Sequence, residues 1–182
     1  MPEVYIDETN IEEINASIHQ TKHIVIGGAE LKQNNYKYNI VFVKKGEEIY
    51  IHKKEKLVPV IEYIPSWLSF GKESEFKKKD YDDDIKIDSI LPFSVLICYE
   101  SIFNPIVKKS TSNKNTLFVL ASEYFMGHSS IAYNQYDNIL RIKAIEYNKQ
   151  IIKVSFQGNN IIINSKGNII AKFDDELIVI DI

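Results

Sequence analysis

Leu91-Pro92-Phe93-Ser94-Val95-Leu96-Ile97-Cys98-Tyr99-Glu100 is the stretch on which the reading of this chain turns. An apolar run ends on the only cysteine among 182 residues. Ser101-Ile102-Phe103-Asn104-Pro105 then leads into a helix reaching about residue 112, and Pro105 suits its first turn. A strand that delivers a nucleophile to a sharp turn before a helix is a recurring catalytic arrangement. It holds the side chain at the carboxyl edge of a sheet, where ligands bind in open α/β folds. A free cysteine alone is more often a small inert hydrophobe, so the surrounding chain has to decide between the two.

Downstream, residues 116–121 form a continuous apolar run, as expected of a strand buried on both faces. Residues 122–128 are a loop at its carboxyl end. A longer helix spans about 132–148, with Tyr136, Ile139, Leu140 and Ala144 on one face. Residues 151–156, 160–164, 169–173 and 177–182 read as strands, with a hairpin turn at 165–168. Upstream, Ile11, Ile14 and Ile18 lie on one helical face behind polar capping residues. His23-Ile24-Val25-Ile26-Gly27-Gly28 reads as a short strand ending at its glycines. Residues 38–43 and 48–52 form a hairpin about Lys45-Gly46-Glu47. Pro59 and Pro65 argue for an extended segment between them. Trp67, Leu68 and Phe70 follow, either as a satellite cluster or as an apolar lid. Helices alternate with buried strands in the middle and hairpins flank them, which predicts an α/β fold with a mixed sheet.

Length and composition are those of one soluble domain covering residues 1–182, with 45% hydrophobic and 26% charged residues. The net charge of −3 gives no reason to expect a polyanion, and the lysines at 77–79 run directly into an acidic block. Nucleic acid is not an expected partner. One cysteine excludes an intrachain disulfide. No apolar stretch reaches the length of a membrane span, and the first residues lack the regions of a signal peptide. The expectation is a soluble chain that is not exported. His19 and His23 are four apart but have no acidic third ligand or HExxH pattern, so no metal is expected. His52 lies at an element end and His128 in a loop, neither in the setting of a Cys-His hydrolase. No glycine-rich phosphate loop is present.

Three separated segments together resemble the carbon–nitrogen hydrolase (nitrilase) superfamily, which uses a Glu-Lys-Cys triad. Met1-Pro2-Glu3 resembles its glutamate segment. Lys54-Glu55-Lys56-Leu57-Val58-Pro59, followed by Glu62-Tyr63-Ile64-Pro65, resembles its lysine segment. Leu96-Ile97-Cys98-Tyr99-Glu100-Ser101-Ile102-Phe103 resembles its cysteine segment. Within the superfamily, the Glu-Tyr-Ile-Pro and Cys-Tyr-Glu-Ser-Ile-Phe pieces look most like the nitrilase-like domain of the apolipoprotein N-acyltransferases. Gly27-Gly28-Ala29, Tyr38-Asn39, Tyr124-Phe125, the helix segment Arg141-Ile142-Lys143-Ala144-Ile145-Glu146 and the turn Ser155-Phe156-Gln157-Gly158-Asn159 extend the match in the family's order.

The resemblance implies an α-β-β-α sandwich with mixed sheets. It implies that Glu3 is the general base for Cys98 and that the Lys54 ammonium lowers the thiol pKa and stabilises an oxyanion. Cys98 would take an acyl chain from a phospholipid as a thioester and pass it to the N-terminal amine of an apolipoprotein. Glu62, Tyr99 and Glu100 match supporting positions. Trp67, Leu68, Phe70, Tyr124 and Phe125 match apolar positions facing substrate or lipid. No cofactor or metal is implied. A full-length member would sit in the bacterial inner membrane with this domain on the periplasmic side. Some positions depart from the pattern: Lys56 replaces a histidine, Val60-Ile61 replaces Phe-Gly, and Glu123 stands close to where the family has Asn-Asp. The chain begins at the glutamate motif, so an N-terminally truncated domain is expected. Two alternatives follow, an amidase acting on a small amide and an inactive remnant or interaction domain.

Overall fold

Strand periodicity gives the first half of the chain two apolar faces, and that is what makes it a layer rather than an edge. Along residues 36–45 the odd positions Val41 and Val43 join one buried cluster, while the even positions Tyr38 and Ile40 join another with Ala29 and Leu31. The computed structural model describes residues 5–6, 24–33, 36–65, 67–68, 76, 91–127 and 129–174. Strands β1 (Tyr5–Ile6), β2 (Ile24–Gln33), β3 (Tyr36–Lys45) and β4 (Glu48–Lys53) form a sheet in that order. β1 runs parallel to β2, and the other pairings are antiparallel.

The second sheet has the order β5 (Ser94–Ile97), β6 (Thr116–Ser122), β7 (Gln150–Phe156), β8 (Asn160–Ile163) and β9 (Ile169–Phe173). β5, β6 and β7 are parallel, joined through helices α1 (Asn104–Thr111) and α2 (Ser130–Tyr147), and β8 and β9 return antiparallel. Val41, Val43 and Tyr50 of the first sheet share one core with Val95, Leu96, Val119 and Ile152 of the second. Phe93 and Phe118 meet edge to face in that core, with ring centroids 4.8 Å apart. Such a pair is worth about 1 kcal/mol beyond its buried area. Leu140 and Ala144 of α2 cover the other face. The result is two mixed or antiparallel sheets packed face to face with helices outside the second, the α/β sandwich expected.

Three details differ from expectation. β2 does not end at Gly27-Gly28 but continues to Gln33. Gly27 pairs with Phe42 across the ladder, and the Phe42 ring occupies the space that a Cβ at Gly27 would fill. The glycine is there to admit a ring, not to end a strand. Ile139 lies at 36% exposure, off the buried face of α2; Asp137 and Lys143 are buried on that helix instead. The strand before Cys98 begins only at Ser94. Helix α2 starts at Ser130, with the Ser129 hydroxyl accepting the Ala132 N–H at 3.3 Å, and ends on left-handed Asn148. The expected helix around Ile11, Ile14 and Ile18, with His19 and His23, lies outside the described residues, as do the expected strand 177–182 and His128.

Candidate active site

Cys98 follows β5 directly and opens a 3-10 turn, Cys98–Ile102, that leads into α1. Its φ of +46° lies in the left-handed region, which a side chain with a Cβ enters only when the surroundings hold it there. The carboxyl ends of the parallel strands β5 and β6 lie side by side here, with Ile97 paired to Leu120, and the amides of Ser122, at the end of β6, and of Tyr99 pull the Cys98 thiol down.

Lys54 stands one residue past the end of β4 and is 2% exposed. Its backbone N–H donates to the Asn39 carbonyl at 2.9 Å, which fixes where the side chain leaves the sheet. The Lys54 Nζ donates to Glu62 Oε1 at 2.6 Å. The same Oε1 accepts the Asn39 Nδ2 at 2.7 Å, and Glu62 Oε2 accepts the Val58 N–H at 2.6 Å. The loop carrying Glu62 closes through Val60 N–H to Tyr63 O at 2.7 Å, with Val60 at φ +70°.

Glu100 ties the two segments together. Its buried carboxylate accepts the Ile97 N–H at 2.8 Å, ahead of Cys98, and the amides of Glu55 and Lys56 just after Lys54, the latter at 3.4 Å. His52 Nε2 lies 3.5 Å away on β4. Burial pushes the Glu100 carboxyl up, but the hydrogen bond and charge of His52 and the amides of Ile97 and Glu55 outweigh it. The group therefore sits below the ordinary carboxylate value.

Lys54 pulls the thiol down as expected, but the net shift is upward. Burial pushes the Cys98 thiol up; the Lys54 charge and the Ser122 and Tyr99 amides pull it down, and the Glu62 charge pushes up again. The balance lies above the ordinary thiol value because burial outweighs the pull of Lys54 and the two amides, and the Glu62 charge adds to the rise. Forming the thiolate there calls for a base.

Of the residues singled out from sequence, Lys54, Glu62, Cys98, Tyr99 and Glu100 meet in one place. Tyr99 is half-buried with its ring edge-on to Phe103 at 4.9 Å, and Lys56 stacks over Phe103 at 5.2 Å. Glu3 and Phe70 lie outside the described residues. Trp67, Leu68, Tyr124 and Phe125 are all exposed, at 79%, 38%, 65% and 46%. They do not form a satellite cluster of the core. Sequence reasoning gave no site role to His52, Ser101, Tyr136 or Lys153. The Ser101 and Tyr136 hydroxyls both reach the Cys98 carbonyl oxygen. Among the described residues, no group of three or more His, Cys, Asp and Glu side chains gathers to hold a metal.

The chain is 29% identical over 168 residues to the apolipoprotein N-acyltransferase of Wigglesworthia glossinidia brevipalpis, a match covering 82% of this chain and 33% of that protein. It is 27% identical over 186 residues to the apolipoprotein N-acyltransferase of Rickettsia typhi, covering 93% of this chain and 36% of that protein. The chain thus spans about a third of the length of the curated relatives it matches. Its fold matches the carbon–nitrogen hydrolase of Helicobacter pylori G27 with a TM-score of 0.66 at 14% identity, over 92% of this chain and 65% of that one. No family model matches the chain.

Proposed function

We propose that this chain, which has the carbon–nitrogen hydrolase (nitrilase) fold and is similar in sequence to apolipoprotein N-acyltransferases, moves an acyl chain through a thioester on Cys98. The carboxylate of Glu3 takes the thiol proton as the sulfur attacks an ester carbonyl of a phospholipid. Lys54 Nζ and the Tyr99 N–H stabilise the tetrahedral oxyanion. The carbon–oxygen bond breaks, and the departing alkoxide takes the proton back from Glu3. The thioester is then attacked by the N-terminal amine of an apolipoprotein: a carbon–nitrogen bond forms, the carbon–sulfur bond breaks, and the amine proton returns to the sulfur through Glu3.

The observation that carries this reading is the left-handed Cys98 directly after β5, with the buried Lys54–Glu62 pair and the Ser122 and Tyr99 amides close enough to act on its thiol. A thiol raised by burial also fits a site in which a base acts only as substrate arrives. Exposed Trp67, Leu68, Tyr124 and Phe125 supply apolar surface for acyl chains and for a membrane surface. Among the described residues no helix is long and apolar enough to cross a membrane.

The test is intact-mass spectrometry of the full chain after incubation with a short-chain thioester or a phospholipid. One acyl increment is expected on the wild type and none on Cys98→Ser, and an amine acceptor should discharge it. Ammonia release from amides without transfer to an amine would make the chain an amidase. Absence of both, with Cys98 reacting like any buried thiol, would make it a non-catalytic domain.

A further inference from the structure

The carbonyl of Cys98 and the N–H of Tyr99 belong to one planar peptide group, so whatever grips the first aims the second. The grip comes from behind the site. The Tyr136 hydroxyl on α2 donates to the Cys98 carbonyl oxygen at 2.9 Å. The Ser101 Oγ lies 2.7 Å from that oxygen and 2.8 Å from the Tyr136 hydroxyl. All three groups are buried. The carbonyl therefore points into the core toward α2, and the trans N–H on its other side points away from α2.

Tyr136 is in turn held from below. Lys153, fully buried on β7, sits over its ring at 5.1 Å. Lys153 Nζ bonds Glu123 Oε2 at 2.8 Å and contacts Asp137 Oδ1 at 2.6 Å. Asn159 Nδ2 donates to the other Asp137 oxygen at 2.7 Å. A Cβ at Gly158 would overlap the Glu123 carboxylate, so the turn after β7 is shaped to admit that group.

We propose that Tyr136, seated by the buried Lys153–Glu123–Asp137 cluster and acting with Ser101, is a positioning residue that orients the 98–99 peptide and so aims the Tyr99 N–H at the reacting sulfur and oxyanion. Burial, then the charges of Cys98, Glu123 and Asp137, hold the Tyr136 phenol well above its ordinary value despite the Ser101 bond. It remains a donor throughout the range in which the thiol titrates. The catalytic meaning of this role rests on the thioester reading above. The thiol chemistry itself does not.

The test compares Tyr136→Phe and Ser101→Ala with Thr111→Val in the full chain. Thr111 is a buried hydroxyl donating to the Val107 carbonyl at 2.7 Å, away from Cys98. Each protein is alkylated with iodoacetamide from about pH 6 to about 10, and its thermal midpoint is measured. Loss of an aimed amide raises the thiol pKa by about one unit, so the rate near pH 8 should fall about tenfold in Tyr136→Phe and about threefold in Ser101→Ala. Thr111→Val should lower the thermal midpoint and leave the alkylation profile in place. Alkylation unchanged or faster in both site variants overturns the proposal. If Tyr136→Phe does not fold, Ser101→Ala against Thr111→Val decides. An altered profile in a chain that never forms the acyl-enzyme would sink the thioester reading and leave the positioning role standing; an unaltered profile in a chain that acylates would do the reverse.

Discussion

Lys54 and Lys153, two of the four buried lysines among the described residues, are held in different ways. Lys54 has one carboxylate partner, Glu62, whose side chain keeps 13% exposure and which also accepts from Asn39 and Val58. Lys153 has two partners, Glu123 and Asp137, at 0% and 6% side-chain exposure. Glu62 arrives on a loop that carries Val60 at φ +70°, while Glu123 directly follows β6 and Asp137 rides a helix. The first pair keeps one partly exposed carboxylate, and the second is sealed on every side. The two lysines thus differ in partner count and in the burial of their partners rather than in residue type.

Substitution of Lys153 is the largest test of that contrast. Lys153→Met leaves two buried carboxylates facing each other with no cation, and should cost about 3–5 kcal/mol in urea unfolding. Lys54→Met should cost only about 1–2 kcal/mol, because Glu62 keeps its Asn39 and Val58 donors. Equal losses would break the comparison. Between them stands Glu100, a buried carboxylate with no lysine at all. Its carboxyl is lowered in the fold, so its contribution is present above the ordinary glutamate value near pH 4.3 and lost as pH falls through the folded value. Glu100→Gln should cost about 2 kcal/mol at neutral pH, and its stability curve should converge with the wild type in acid.

Lys54→Met has a second signature that Lys153→Met lacks. Lys54 pulls the Cys98 thiol down, so its loss should raise the alkylation midpoint further and slow the reaction near pH 8 about tenfold. The smallest effect tests the loop that carries Glu62. A valine at φ +70° carries about 1–2 kcal/mol of strain that glycine does not. Glycine's greater freedom in the unfolded chain returns part of that, so Val60→Gly should stabilise by about 0.5–1 kcal/mol in the same urea assay. A destabilised Val60→Gly would mean that the Val60 side chain packs usefully, and would weaken the picture of a strained loop.

Most of the fold was legible because it is written in period and punctuation. The apolar run at 116–121 is β6 with both faces covered, and Lys45-Gly46-Glu47 falls at the turn between β3 and β4. Misreadings came where a partner across the sheet overrules local chemistry. Gly27 signals an end only until Phe42 lies over it, and Ile139 belongs to an apolar pattern that the helix rotates away from the core. The front of the site was legible as segments, since Lys54, Glu62, Cys98 and Glu100 stand in short stretches with a familiar look. Its back was not. Lys153 lies in Ile151-Ile152-Lys153-Val154, which reads as an ordinary strand, and its partner Glu123 is 30 residues away.

Sequence alone therefore marks most of the strands and turns, because these follow from side-chain period and from glycine and proline geometry, and its short motifs single out the candidate residues for chemistry. Tertiary structure decides what each charged residue does. Only the packing of α2 against the second sheet brings Tyr136 to the Cys98 carbonyl, and only the register of β6 with β7 sets Lys153 beside Glu123. The physical reason is that charge, desolvation and hydrogen bonding act over a few ångströms, and which residues come that close is determined by how the layers meet.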